Sequence, residues 1–218
     1  VSEIAFIPME LIPDTETYVN YKMVPISEVK SSTYCEEGDI LLAKITPSVE
    51  NGKQGIVPKI PMGFAKATTE VFPLNCKEEI SNIFLFYILK LLKFRNILIN
   101  EMTGSTGRQR VPKDTVTTLL IPLPPLPEQR KIAEILSTAD EDIRKTDEII
   151  SKTQEFKKGM MQKLLTKGIG HTRFKKTEIG EIPEEWEVVR LGVVAEKFIS
   201  GGTPSTSKPE YWDGGIPW

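Results

Sequence analysis

Apolar residues recur along this chain in two rhythms, and the change between them divides it. Residues 38–45 (GDILLAKI) and 54–60 (QGIVPKI) are continuous apolar runs of strand length, and 68–74 (TTEVFPL) alternates β-branched residues. Between the first two lies TPSVENGK (46–53), which predicts a hairpin turn built on Asn51-Gly52. Residues 79–102 (EISNIFLFYILKLLKFRNILINEM) carry apolar side chains at helical spacing and predict one or two buried helices. TGSTGRQRV (103–111) interrupts them, and DTVTTLLIPLP (114–124) returns to strand character. Residues 1–126 therefore form one mixed domain of strands and helices.

The second rhythm starts after IPLPPLP (121–127). Proline fixes φ and removes a ladder donor, so Pro122, Pro124, Pro125 and Pro127 make an extended edge rather than a central strand. Pro127 also suits the first turn of the helix that follows, where its missing N–H costs nothing. Across 127–168, Ile132, Leu136, Ala139, Ile143, Thr146, Ile150, Thr153, Met160 and Leu164 alternate steps of four and three, with Lys157 in line. Ile135, Ile149 and Phe156 widen the stripe. This is a coiled-coil seam on a helix of about 60 Å, at 1.5 Å per residue. Gly168 and Gly170 mark its end, and 169–218 begin a third stretch.

Composition narrows the function. Of 218 residues 39% are hydrophobic and 27% charged, which describes one or two soluble domains. No apolar run has membrane-spanning length, and the first twenty residues lack a basic start with an apolar core, so neither a membrane span nor a leader is expected. Cys35 and Cys76 match no metal spacing and fit a reducing cytoplasm. His171 is the single histidine, which removes most His-based catalysis and metal binding. The net charge of −2 is low for a free-standing nucleic-acid binder, although a partner could supply part of the phosphate attraction.

Three loops carry candidate DNA chemistry. In 103–111, Gly104 and Gly107 permit close backbone approach around Arg108, Gln109 and Arg110. Arginine can bridge guanine O6 and N7, and glutamine adenine N6 and N7. Ser105 and Thr106, beside Thr103, suit phosphates. In 200–212, Thr203, Ser205 and Lys208 combine hydroxyls with a cation beside Tyr211 and Trp212. The 44–55 loop presents Lys44 and Lys53. A plain glycine turn, a polar surface loop and an ordinary hairpin are the bland readings of the three. No GxSxG, phosphate loop or Asn-Pro-Pro-aromatic signature occurs, so catalysis by the chain itself is not expected.

The junction LPPLPEQRKIAEIL (123–136) resembles that of specificity subunits (HsdS-type) of type I restriction–modification systems, where a target-recognition domain hands over to a spacer helix. TEIGEIPEEWEVVRLG (177–192) resembles the opening of such a domain, and ISGGTPSTSKPEYWDGGIPW (199–218) its first DNA-facing loop and strand. Residues 1–125 resemble the remainder, so the chain spans about one repeat unit in rotated order.

The resemblance implies an α/β (mixed α+β) recognition domain reading half of a bipartite target in double-stranded DNA. It implies a helix that packs antiparallel on a second one through Ile132, Leu136, Ile143, Ile150, Met160 and Leu164. Methyltransferase and restriction subunits are the implied partners, carrying S-adenosylmethionine, Mg and ATP, with no cofactor in this chain. A scaffold without DNA reading and an enzyme with unfamiliar motifs are the competing classes. The rotated order further predicts a homodimer in which 171–218 of one chain complete the domain begun by 1–125 of the other, Trp218 lying near Val1 of its partner. Its target would be an interrupted palindrome.

Overall fold

The computed structural model describes residues 2–105, 107–203, 205, 207–212 and 214. In chain order the elements are β1 (Glu3–Ile7), β2 (Lys22–Pro25), β3 (Thr33–Glu36), β4 (Ile40–Ala43), β5 (Gln54–Ile56), β6 (Phe64–Ala67) and β7 (Val71–Leu74). Then come α1 (Asn82–Lys90), α2 (Leu92–Asn100), α3 (Lys113–Thr117), α4 (Leu126–Lys167), β8 (Phe174–Thr177), β9 (Gly180–Pro183) and α5 (Leu191–Val194). Two units divide the chain, Val1–Glu148 and Ile149–Trp218, with the boundary inside α4.

The first unit holds a four-stranded sheet, β2-β1-β6-β3, and a three-stranded sheet, β5-β4-β7. All pairings are antiparallel except β1 with β6. Strand β4 is central in its sheet and all four of its residues are buried, which is why it reads as an unbroken apolar run. Its side chains divide among three apolar clusters. Leu41 packs with Ala5, Ile7, Cys35, Ala65 and Val71, whereas Ile40 packs with Ile56 and with Phe86 and Leu89 of α1. Leu42 joins Leu98 of α2, Met102 and Val111. The second sheet is thus sandwiched between the first sheet and the helices.

The predicted strands at 38–45, 54–60 and 68–74 correspond to β4, β5 and β7, and the run 79–102 to α1 and α2, which part at the extended Leu91. Two expectations are corrected. First, 46–53 does connect an antiparallel pair, β4 with β5, as a hairpin should, but its turn is not a tight one centred on Asn51-Gly52. It coils through Val49 N–H to Ile45 O (3.0 Å), Asn51 N–H to Pro47 O (3.0 Å) and Lys53 N–H to Ser48 O (2.9 Å). Only Gly52 of the Asn-Gly pair has positive φ (+71°), so the two-residue turn that needs it at both positions does not form. A Cβ on Gly52 would fall 2.3 Å from the Arg95 guanidinium.

Second, 114–124 is not a strand. Pro112 opens α3, Thr117 and Thr118 hydroxyls turn back to the Asp114 carbonyl (3.1 and 2.7 Å), and 119–125 belong to no strand. The prolines that mark this segment are what deny it a ladder. Strands β1, β2, β3 and β6 carried no periodic signal strong enough to be anticipated.

Helix α4 begins one residue before Pro127 and stops at Gly168 (φ +66°), whose N–H bonds Leu164 O at 3.0 Å. On its exposed faces Lys145 pairs with Glu141 at 2.9 Å, and Arg144 with Glu148. In the second unit β8 and β9 form a hairpin, and Lys167 lies 4.5 Å above the Phe174 ring. The Trp186 and His171 rings meet edge to face at 6.1 Å. Beyond Trp186 apolar side chains stand in solvent, among them Leu191, Val193, Phe198 and Ile199.

Candidate nucleic-acid interface

Three loops of the first unit meet at one place. The 44–50 loop leaving β4, the 68–70 turn between β6 and β7, and the 103–111 loop are tied by main-chain bonds. Val111 N–H reaches Lys44 O (2.8 Å), Thr46 N–H reaches Gln109 O (3.1 Å), and Lys44 N–H reaches Glu70 O (3.1 Å). The 103–110 loop closes on itself like a small hairpin: Thr103 and Arg110 exchange N–H···O bonds at 2.9 and 2.8 Å, and Arg108 N–H bonds Ser105 O at 2.9 Å. Gly104 (φ +124°) is obligatory there, because a Cβ would lie 2.7 Å from the Arg108 carbonyl.

The fold brings together Arg108, Gln109, Arg110, Ser105 and Lys44, but in different states. Arg108 and Ser105 project into solvent, and among the described residues no carboxylate pairs with Arg108. Gln109 is half-buried. Arg110 is held by Glu70 at 2.8 Å, and the second oxygen of that carboxylate is buried without a hydrogen-bond partner. Lys44 lies 4.9 Å over the Phe72 ring, and Thr46 Oγ1 donates to Glu50 at 2.7 Å. By sequence the three loops carry Lys44, Arg108 and Arg110 along with Glu50 and Glu70, a local balance of +1 (three cations less two carboxylates).

Lys53 is placed elsewhere. Its Nζ turns inward to donate to the carbonyls of Met9 (3.1 Å) and Ile12 (2.8 Å), which ties the 46–53 turn to the segment after β1. Thr106 lies outside the described residues. Thr203, Ser205 and Lys208 belong to the second unit. There the Ser205 and Ser207 hydroxyls are 2.7 Å apart, Trp212 Nε1 donates to Ser205 O (3.2 Å), and Lys208 sits 5.3 Å over the Tyr211 ring.

Sequence reasoning missed Glu70 and Phe72, because nothing in TTEVFPL marks a partner forty residues away. It also missed Gln129. That side chain is wholly buried at the start of α4, accepting from Ser81 N–H (2.9 Å) and donating to Glu79 O (3.1 Å) and Pro124 O (2.8 Å). The α4 face turned to its own domain is Gln129, Ala133, Ser137 and Asp140. The apolar seam lies elsewhere on the helix: Ile132 and Leu164 are half-buried, while Leu136, Ile143, Ile150 and Met160 are exposed, Ile143 by 60%. Among the described residues no cluster of His, Cys, Asp and Glu could hold a metal, and no helix is long and apolar enough to cross a membrane.

Comparison with known proteins matches residues 15–152 to the type I restriction modification DNA specificity domain. The chain is 37% identical over 183 residues to the type I restriction enzyme MjaX specificity subunit of Methanocaldococcus jannaschii, covering 83% of this chain and 43% of that protein. It is 40% identical over 165 residues to the MjaVIII specificity subunit of the same organism, covering 73% and 36%. The chain thus spans less than half the length of either relative. The crystal structure of the HsdS subunit from Thermoanaerobacter tengcongensis shares the fold, with a TM-score of 0.55 at 22% identity over 75% of this chain and 42% of that one.

Proposed function

Because the chain belongs to the type I restriction modification DNA specificity family, we propose that it reads one half of a bipartite double-stranded DNA target and presents a helix on which a methyltransferase subunit docks. The observation that carries this reading is the convergence of the 44–50, 68–70 and 103–111 loops at one end of the two sheets, with Arg108 at the tip paired with no carboxylate among the described residues. A guanidinium on a glycine-framed loop suits the O6 and N7 edge of guanine. Gln109 follows it on the same loop, and Lys44, Thr103 and Ser105 surround it as phosphate contacts. Arg110 stands behind them as a support held by Glu70. Lys53, committed to two carbonyls, drops out of the contact set. In the second unit Thr203, Ser205 and Lys208 would begin a second reading surface.

The exposed stripe of α4 supports the helix-packing part of the proposal. Ile143, Ile149, Ile150 and Phe156 are each about half exposed or more, and helices in proteins draw most of their stability from packing such an apolar face. A second helix of the same kind covers them, supplied by a second copy of this chain. Completion of one recognition domain by 171–218 of the partner belongs to the same proposal. Its closest expected approach, Val1 to Trp218, involves residues outside the described set.

The relatives carry the names of specificity subunits, not of catalytic ones. S-adenosylmethionine, Mg and ATP are accordingly assigned to partner subunits: the methyltransferase, which flips and modifies the target base, and the restriction subunit, which completes the nuclease. The test is selection from random duplexes with a type I methyltransferase subunit present, followed by methylome sequencing. One recovered bipartite motif is expected. No enrichment would leave a scaffold, and S-adenosylmethionine binding by the chain alone would favour an enzyme.

A further inference from the structure

Helix α4 is fastened to its recognition domain by polar pins rather than by its apolar stripe. At its first turn Gln129 grips three main-chain groups of the 79–81 and 124 segments. Eleven residues on, three turns along the helix, Asp140 accepts a hydrogen bond from the Tyr87 hydroxyl at 2.8 Å. Ser137 (3.4 Å) and Thr17 (3.5 Å) complete the group from the helix and from the loop before β2. Tyr87 is oriented by its edge-to-face contact with the wholly buried Phe86, at 5.2 Å and 72°. Burial pushes its phenol up, so it stays a proton donor across the neutral range.

Two directional attachments separated by about 16 Å along a helix define its tilt. Apolar contact alone is non-directional and tolerates sliding, while a hydrogen bond weakens steeply with misalignment. We propose that Tyr87 and Asp140, with Gln129 as the fixed end, are positioning residues for spacer length: they set the angle between reading loops and rod, and hence the number of base pairs allowed between half-sites. This rests on the bipartite reading above.

The test uses the full chain with a methyltransferase subunit and a duplex set carrying the selected half-sites, with the spacer varied by single base pairs. Unaltered protein is expected to favour one length. Tyr87→Phe keeps the ring and Asp140→Ala removes the acceptor. Both should reduce discrimination against spacers one base pair longer or shorter by roughly tenfold, with base preference inside each half-site unchanged. Asp140→Asn, which retains an acceptor oxygen, should recover most of it. Gln129→Met tests the fixed end, and the milder Tyr87→Phe keeps the idea testable if that variant does not fold. Unchanged spacer preference in Tyr87→Phe and Asp140→Ala would overturn this inference alone. A target with no spacer preference in the unaltered protein would overturn the bipartite reading with it.

Discussion

Arg108 and Arg110 are two residues apart and chemically identical, yet the structure predicts opposite outcomes on removing them. Arg110 is paired with Glu70, whose side chain is 24% exposed while that of Arg110 is 59% exposed. The pair is only half in water. Its loss should cost less than the 3–5 kcal/mol of breaking a fully buried pair and more than a surface pair, worth at most about 1 kcal/mol. About 1–2 kcal/mol is expected for Arg110→Ala, because Glu70 is left with one oxygen already lacking a partner. For a unit of this size that lowers Tm by roughly 2–8 °C. Arg108→Ala touches no internal partner and should stay within about 0.5 kcal/mol of the unaltered stability. It should instead weaken binding to the selected duplex by about 1–3 kcal/mol, roughly 5- to 150-fold. Thermal unfolding gives the first quantity, and fluorescence anisotropy across a salt series gives the second. If Arg108 contacts phosphate rather than a base, all sequences weaken together and the salt slope falls by about one. An Arg110→Ala variant with unchanged Tm, or an Arg108→Ala variant with unchanged affinity and slope, refutes the division of labour.

Lys53→Met should lower stability, because the carbonyls of Met9 and Ile12 lose their donor, while leaving the salt slope of DNA binding where it was; a lowered slope would return Lys53 to the interface. Changing Ile143 and Ile150 together to Asp puts charge into the proposed helix contact, and sedimentation should show loss of association, whereas an intact dimer of equal stability would sink the coiled-coil assignment. Burial, with Asp39 adding to it, pushes the Cys35 thiol up to about 12 from its ordinary 9.0. The folded chain then holds that proton more tightly than the unfolded chain, so its contribution to stability is complete below pH 9 and lost as pH rises toward 12. Native Cys35 should resist alkylation at pH 8 until the protein is unfolded, and rapid labelling of the folded chain would contradict the burial.

The parts legible from sequence are those in which one physical demand controls the pattern. Strand β4 is buried on both faces and so is apolar throughout, and α4 repeats one stripe for many turns. Segment 114–124 misled because Val116, Leu119 and Ile121 mimic a strand, while the prolines that follow decide the matter through missing donors. The tight shape of the Arg108 loop was legible because Gly104 is required by geometry. The support behind it was not, since Glu70 and Arg110 are joined only by the three-loop junction. Lys53 reads as a surface cation on an Asn-Gly turn, and only the coil of 46–53 shows that it points inward. Gln129 is the hardest case: a polar residue within PEQRK looks like any solvated helix start, yet it is wholly buried.

What Gln129 holds has a consequence for how such molecules change over time. Its three bonds go to the Ser81 N–H and to the carbonyls of Glu79 and Pro124. Every one of these is a backbone atom, present whichever side chains occupy 79, 81 or 124, proline at 81 excepted. At this end the helix grips a path of main chain and not a set of neighbours. A domain with different loops at 44–50 and 103–111, folded along the same path, would find the same socket waiting. The domain ahead of the helix can therefore be exchanged at this joint without redesigning the shaft.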